Sequence, residues 1–330
     1  MQDAVQLKAA STNLAPSTRV HWTSRGTGTV RYSILAVFLC VAIASGAAAQ
    51  QQPSPGEVLH ANQGTVGVIT GMEGGTYAQT AADLTILDDG TLRVLPVIGK
   101  GSLQNLSDIL YLKGIDIGFV QSDALTYAKQ HNLFPTLTQN IRYIAKLYDE
   151  EVHVLARKDI QSLDALNGQR VNVDVAGSGS AMTAQILLDA FGIKAKVEHE
   201  KQVSGLEELK RGDIAAIIQV AGAPMPLLSR VDNTTGLHFL PIELNQTLAQ
   251  TYLPDQITHA TYPALVPVDA TIPTLAVGDV MAVFAWSPHS ERYAKVARFV
   301  DAFFGHFDQF LQPPRHPKWR EVNLTAEVPG

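Results

Sequence analysis

The sequence predicts an α/β protein made of two similar halves that face each other across a cleft, and three observations predict it. From Thr65 onward, short apolar runs alternate with amphipathic stretches, the rhythm of βαβ units around a parallel sheet. The rhythm restarts after Arg157-Lys158-Asp159, so a second half repeats the plan of the first. Five turns that follow strands, three before the restart and two after it, carry glycines, hydroxyls or amides. The crevice of an open α/β sheet lies at such turns.

The elements follow in order. Residues 66–70 read as a buried strand, followed by a Gly-rich turn and a helix over 76–87. Residues 92–97 give the next strand and 102–112 a helix, with Leu103, Leu106, Ile109 and Leu110 at helical spacing. A third strand at 115–120 and a third helix at 123–130 complete the first half. In the second half, strands are expected at 171–175, 195–199, 214–219 and 238–240, with helices at 180–191, 204–210 and 226–231. Two further strands, 274–278 and 280–284, precede a helix over 290–310. Its Tyr293, Val296, Ala297, Val300, Phe303, Phe304 and Phe307 form one apolar stripe, the face of a helix packed on a sheet. The tail opens with Pro313-Pro314-Arg315-His316-Pro317, which cannot be helical and is expected to run along the surface.

Ahead of these elements lies a targeting segment. Arg31 precedes an apolar run from Ile34 to Ala44, and Ala47-Ala48-Ala49 supplies an A-x-A cleavage pattern before Gln50. The run is shorter than the roughly 20 residues of a membrane-spanning helix. Cys40, the only cysteine, follows Val37-Phe38-Leu39 and lacks the small residues that precede a lipidated cysteine, so no lipid anchor is expected. The polar stretch before Arg31 is long for such a segment, and translation is expected to start downstream of Met1. Cleavage removes Lys8, Arg19, Arg25 and Arg31 against Asp3 alone, leaving 21 basic and 30 acidic residues, a net −9. With 46% hydrophobic and 17% charged residues, the chain buries a substantial core, and its acidity argues against nucleic acid as a partner.

The turns carry the candidate chemistry. Gly71-Met72-Glu73-Gly74-Gly75-Thr76-Tyr77 joins the first strand to the first helix. Glycines let the backbone approach a ligand, and a helix N-terminus offers unsatisfied N–H groups and partial positive charge to an anion. Gly99-Lys100-Gly101-Ser102 repeats the arrangement, with Ser102 suited to cap the helix. Gln121-Ser122-Asp123 ends the third strand with an amide and a hydroxyl. Ala176-Gly177-Ser178-Gly179-Ser180 and Ala221-Gly222-Ala223-Pro224 are the counterparts in the second half. The candidate contacts are Gly74, Gly75, Thr76, Tyr77, Gly101, Ser102, Gln121 and Ser122 from one half. Gly177, Ser178, Gly179, Ser180, Ala221 and Gly222 face them from the other.

Catalytic patterns are weaker. Gly177-Ser178-Gly179 follows alanine and lacks the Gly-x-Ser-x-Gly elbow, and no Gly-x-Gly-x-x-Gly or Gly-Lys-Ser/Thr motif is present at these turns. The histidines form no H-E-x-x-H or H-x-H metal pattern, and His153, in an apolar run, reads as structural. Glu150-Glu151 are adjacent carboxylates that point apart in any regular structure and read as a solvated face. Neither a catalytic residue, a metal nor a cofactor is expected.

Taken together and in order, Gly74-Gly75-Thr76-Tyr77, Gly99–Leu106, Asp116–Asp123, the stretch from Tyr148 to Lys158, Leu163–Val171, Gly177–Ser180, Gly212–Ala216 and Ala221–Pro224 resemble the TAXI-type solute receptors of tripartite ATP-independent periplasmic (TRAP) transporters. The resemblance spans 65–310. It implies a type II periplasmic-binding fold: two α/β lobes joined by two crossovers, near 151–157 and 262–271, with a ligand between them. It assigns 1–49 to a signal peptide, 50–63 to a linker, 64–152 and 268–312 to lobe one, 153–267 to lobe two, and 313–330 to a surface tail. It further implies a periplasmic protein that is no enzyme, a small carboxylate or amino-acid-like ligand, and membrane TRAP permease subunits as partners. Ala78 stands where many relatives have a second aromatic, which implies a differently shaped pocket. A sensor, an ABC-type receptor and an enzyme on the same fold remain alternatives.

Overall fold

The computed structural model describes residues 62–326, together with Ser54 and Gly56. The expected leader at 1–49, with Cys40 and its cleavage site, lies outside the described residues, as do 327–330 and most of the 50–63 linker. Strands β1 (Thr65–Ile69), β2 (Arg93–Val97) and β3 (Ile117–Gln121) alternate with helices α1 (Thr76–Asp83), α2 (Ser102–Tyr111) and α3 (Ser122–Gln130). The one-turn helix α4 (Leu137–Asn140) leads into the 16-residue strand β4 (Ile141–Ala156). The second half runs β5 (Arg170–Asn172), α5 (Gly179–Ala190), β6 (Lys196–Glu198), α6 (Gln202–Arg211), β7 (Ala216–Ala221), β8 (His238–Phe239) and β9 (Leu253–Thr258). Strand β10 (Thr271–Phe284) and helix α7 (Glu291–Gly305) close the chain. The helix expected at 226–231 is a single 3-10 turn, Leu228–Arg230.

Two long strands define the architecture. The strand order is β2-β1-β3-β10-β4-β7-β5-β6, with β8 beside β4 and β9 beside β10. The first part of β4 pairs with β10, and its last part, Glu151 to Ala156, pairs with β7. Strand β10 pairs with β9 over Thr271–Ala276 and with β3 over Asp279–Val283. Each strand therefore serves both lobes. They pass between the lobes side by side, with Ala276 opposite Glu151, Val277 opposite Glu150, and a bulge between Gly278 and Val280. This two-strand crossing joins two α/β lobes, the periplasmic-binding type of fold. The expected second crossover at 262–271 is displaced to 276–279. Residues 271–276 belong to lobe two through β9, and the two strands expected at 274–278 and 280–284 are one.

Each lobe buries helices on both faces of its sheet. In lobe one, Val66, Val68, Phe119 and Met281 share a core with Phe299 and Phe303 of α7, while Ile69, Leu106, Ile109 and Val120 pack together in a second core that takes in α2 and α3. Buried Asp116 accepts from Gly67 N (2.9 Å) and pairs with Lys295 Nζ (2.7 Å), fastening α7 to the first strands. In lobe two, Val171 and Ile218 pack with α5, and Leu206, Leu209 and Ile217 with Tyr262. His153 is fully buried there. Its Nε2 hydrogen-bonds Tyr262 Oη at 2.8 Å, while that oxygen accepts from Met225 N, and burial pushes the imidazole pKa down to about 4.

Two expectations about the last helix and the tail are corrected. The apolar stripe of α7 centres on Val296, Phe299 and Phe303. Tyr293 and Phe304, both expected inside it, are 45% and 40% exposed. A helix turns about 100° per residue, so Phe304 stands a quarter-turn away from buried Phe303. Part of the tail turns inward. His316, Lys318 and Trp319 are buried, and Trp319 joins the core of lobe one. Asp83 draws it in, accepting from Trp319 Nε1 and His316 N at 2.9 Å each.

Candidate functional site

Where the two lobes meet, the structure brings together turns that are far apart in the sequence. Gly75, Thr76, Tyr77, Gly101, Ser102 and Gln121 border one cavity from lobe one, and Ser178, Gly179, Ser180 and Ala221 from lobe two. The other candidates, Gly74, Ser122, Gly177 and Gly222, do not border it. Two of those instead tie the lobes together: Gly222 O accepts from Thr76 Oγ1 (2.7 Å), and Gly177 O accepts from Gln104 N (3.2 Å). Asp123 adds a third tie, accepting from Thr183 Oγ1 (2.6 Å) and Tyr252 Oη (2.8 Å) of lobe two. The lobes are thus shut on each other. The cavity volume is about 30 Å³, the scale of one or two ordered waters.

Helices α1, α2 and α5 begin at this cavity, and the first two lack a side-chain cap. Gly75 caps α1 and Gly101 caps α2, neither offering an oxygen to the first turn. Gly101 also holds φ at 106°, a conformation other residues rarely adopt. Ser102 is therefore not the cap. Its Oγ donates to Gln121 Oε1 (2.8 Å) and accepts from Gln121 N (3.1 Å), which fixes the Gln121 side chain at the cavity wall. Ser178 caps α5, accepting from Ala181 N, and Ser180 Oγ accepts from Val220 N on β7. The serine hydroxyls position the turns at which these helices start, where first-turn N–H groups have no intrahelical partner. Two buried amide atoms at the wall, Gln121 Nε2 and Gln202 Oε1, have no protein partner. Buried polar groups of this kind are satisfied by water or a ligand.

The wall also carries acids. Glu150 and Asp174 border the cavity, and both are almost fully buried. The expected solvated face at Glu150-Glu151 is corrected: the two do point to opposite sides of β4, but each side is interior. Glu151 pairs with Lys318 and accepts from Ala223 N, with burial pushing its pKa up to about 7 against the pull of Lys318. Burial, then the charge of Asp279, raises Glu150 well above the usual carboxylate range. Asp174, raised by burial, accepts from Val175 N and Gln202 Nε2, and its backbone holds φ at 74°. A non-glycine residue in that region stores strain, which concentrates at ligand sites. Tyr77 packs beneath its turn against Phe119, with ring centroids 5.3 Å apart. Its hydroxyl reaches Glu150 and Asp279. Exposed Lys100 stands at the rim.

Glu150, Asp174 and Gln202 escape the sequence reading because each lies outside the Gly/Ser turns. For Asp174 the available signal is its place one turn ahead of Gly177-Ser178-Gly179, and for Glu150 its place within a strand that charges disguise. Among the described residues, no group of three His, Cys, Asp or Glu is placed to hold a metal, and no helix is long and apolar enough to cross a membrane.

Residues 68–299 match the model of the NMT1-like family. The chain belongs to the NMT1-like family. Among solved structures, this NMT1-like chain is similar to holo ArgBP from T. maritima, at 13% identity over 75% of this chain and 92% of that one, with a TM-score of 0.44. It is similar to the regulatory domain of CcmR from Synechocystis in complex with 2-PG, at 14% identity, 72% and 94% coverage and a TM-score of 0.44. A TctC solute binding protein from Polaromonas matches at 15% identity, 73% and 88% coverage and a TM-score of 0.39.

Proposed function

We propose that this NMT1-like chain is an exported solute receptor. It captures a small carboxylate-bearing metabolite by closure of its lobes and hands it to a TRAP-type secondary transporter, as the TAXI resemblance implies. One observation carries the binding step: uncapped helix N-termini of lobe one and the N-terminus of α5 from lobe two converge on one cavity whose Gln121 Nε2 has no protein partner. Fixed N–H donors in a space shielded from water bind an anion far better than the same groups in solvent. The chain as a whole is acidic, so attraction is local.

A cavity of about 30 Å³ is smaller than any metabolite, so the solute enters with the lobes parted and is enclosed as they close about β4 and β10. Its contacts to both lobes supply the differential affinity that favours the shut state. A thermal-shift screen of carboxylates and amino acids tests the reading. A true solute at 100 times its Kd is expected to add about 2.7 kcal/mol of stability. A flat response across the whole library overturns the carboxylate class. Export is tested separately: the secreted chain is expected to begin at Gln50 by N-terminal sequencing, and an unprocessed N-terminus overturns it.

A further inference from the structure

Both strands that pass between the lobes carry an acid at the crossing. Glu150 lies on β4 opposite Val277, and Asp279 occupies the bulge of β10 between Gly278 and Val280. They are 2% and 0% exposed. Tyr77 Oη stands between them, 2.8 Å from Glu150 Oε2 and 2.9 Å from Asp279 Oδ1. A phenol has one proton to donate, and an ionised carboxylate has none. Tyr77 can satisfy one of the two contacts. The other becomes a hydrogen bond when the carboxyl itself is protonated and donates to the phenol oxygen. Without that second proton, two bare charges would share a space from which water is excluded, where their repulsion is poorly screened.

The surroundings do not supply the missing positive charge. Lys146, on β4, is the cation that acts on Asp279, yet it is bound to Asp149 at 2.8 Å and partly open to solvent. Lys318 is engaged by Glu151 and Glu321 on the opposite side of β4. Lys100, at the cavity rim, is exposed. The other titratable and hydroxyl groups nearby are Asp123 on α3, Glu151 and Tyr148 on β4, Ser102 on α2 and Asp174 from lobe two, while the backbone N–H groups of Val120 and Val280 donate to Asp279. Burial and mutual charge both push Glu150 upward, and burial pushes Asp279 upward.

We propose that Tyr77, Glu150 and Asp279 form a proton-binding site at the floor of the cleft, which keeps one shared proton in the folded chain at neutral pH. The pair titrates as a unit, and the proton belongs to the pair rather than to either residue. Resting on the solute reading above, the retained proton gives Glu150 a further role. It removes one of the two negative charges that would otherwise repel an anionic group at the wall.

The proton can be tested without any solute. Exposed carboxyls are ionised at pH 7, so infrared spectroscopy of the full chain is expected to show the carbonyl stretch of a protonated carboxyl that Glu150→Gln weakens. The glutamine amide donates to the phenol oxygen in the proton's place, leaving Asp279 free to ionise. The pair binds more protons folded than unfolded, so its contribution is fully present below the unfolded carboxyl range near pH 4 and lost as pH rises through the raised folded value. Across that window the folding equilibrium constant of the wild type is expected to fall about tenfold per pH unit relative to Glu150→Gln. Asp279→Asn makes the same replacement from the other strand if Glu150→Gln does not fold. Parallel pH profiles, or a wild-type spectrum at pH 7 without the band, overturn the proposal. A failed solute screen leaves both readouts intact and bears on the solute reading alone.

Discussion

Replacing Trp319 with alanine is expected to destabilise the fold by about 3–5 kcal/mol, the range for removing a fully buried large aromatic. The indole is 1% exposed. It stacks on Phe310 with centroids 4.6 Å apart and lies 6.1 Å from Phe303, whose ring meets Phe299, Phe304 and Phe307 in turn. Alanine would leave a cavity among rings fixed by a sheet on one side and helix α7 on another, so collapse into it is restricted. It would also take one donor from Asp83, a buried carboxylate that accepts from both Trp319 and His316. Urea unfolding with an unchanged m-value reads the loss. Phe304→Ala is the control, since that ring is 40% exposed and its removal is expected to cost no more than about 1 kcal/mol. Equal losses for the two variants would mean that the tail does not complete the core.

The same residue shows where a sequence stops being legible. The strand–helix alternation of each half follows from apolar periodicity, and β1, α2, β3 and α5 fall where the pattern puts them. Trp319 follows a Pro-rich stretch with no period, and nothing local reveals that Asp83 waits more than two hundred residues upstream. Strand β4 is hidden for a different reason. Its Asp149-Glu150-Glu151 sequence has the look of a solvated face, whereas Glu150 and Glu151 answer to tertiary partners, Tyr77 and Lys318 respectively. Strand β9 contains Pro254 and Asp255, tolerable because it pairs only with β10 at the sheet margin. The glycine and hydroxyl turns were legible because local backbone demands produce them. The acids and Gln202 at the cavity wall were not, since tertiary geometry alone brings them to it.

Gly179→Ala is expected to leave the folded lobes intact and to weaken solute binding by at least about 100-fold, or about 2.8 kcal/mol. Gly179 opens α5 with ordinary helical geometry, so alanine suits the helix itself and gains slightly in backbone entropy. The obstacle lies across the cleft. A Cβ there would stand 1.6 Å from Gln121 Oε1 and 2.7 Å from Ser102 Oγ, both on lobe one. For Gln121 Oε1 to move aside, its hydrogen bond from Ser102 Oγ must break. With the lobes apart the clash vanishes, so the substitution acts on closure and spares folding. Small-angle scattering is expected to show a chain that stays extended in solute, with a melting temperature at or above that of the wild type in its absence. Gly177→Ala provides the contrast, for its Cβ would meet nothing within 4 Å while its φ of 89° disfavours a side chain. It is expected to lose about 1 kcal/mol of stability and to keep its affinity. Wild-type closure and affinity in Gly179→Ala would mean that the shut arrangement, with Gly179 seated on Gln121, is not the one that holds the solute.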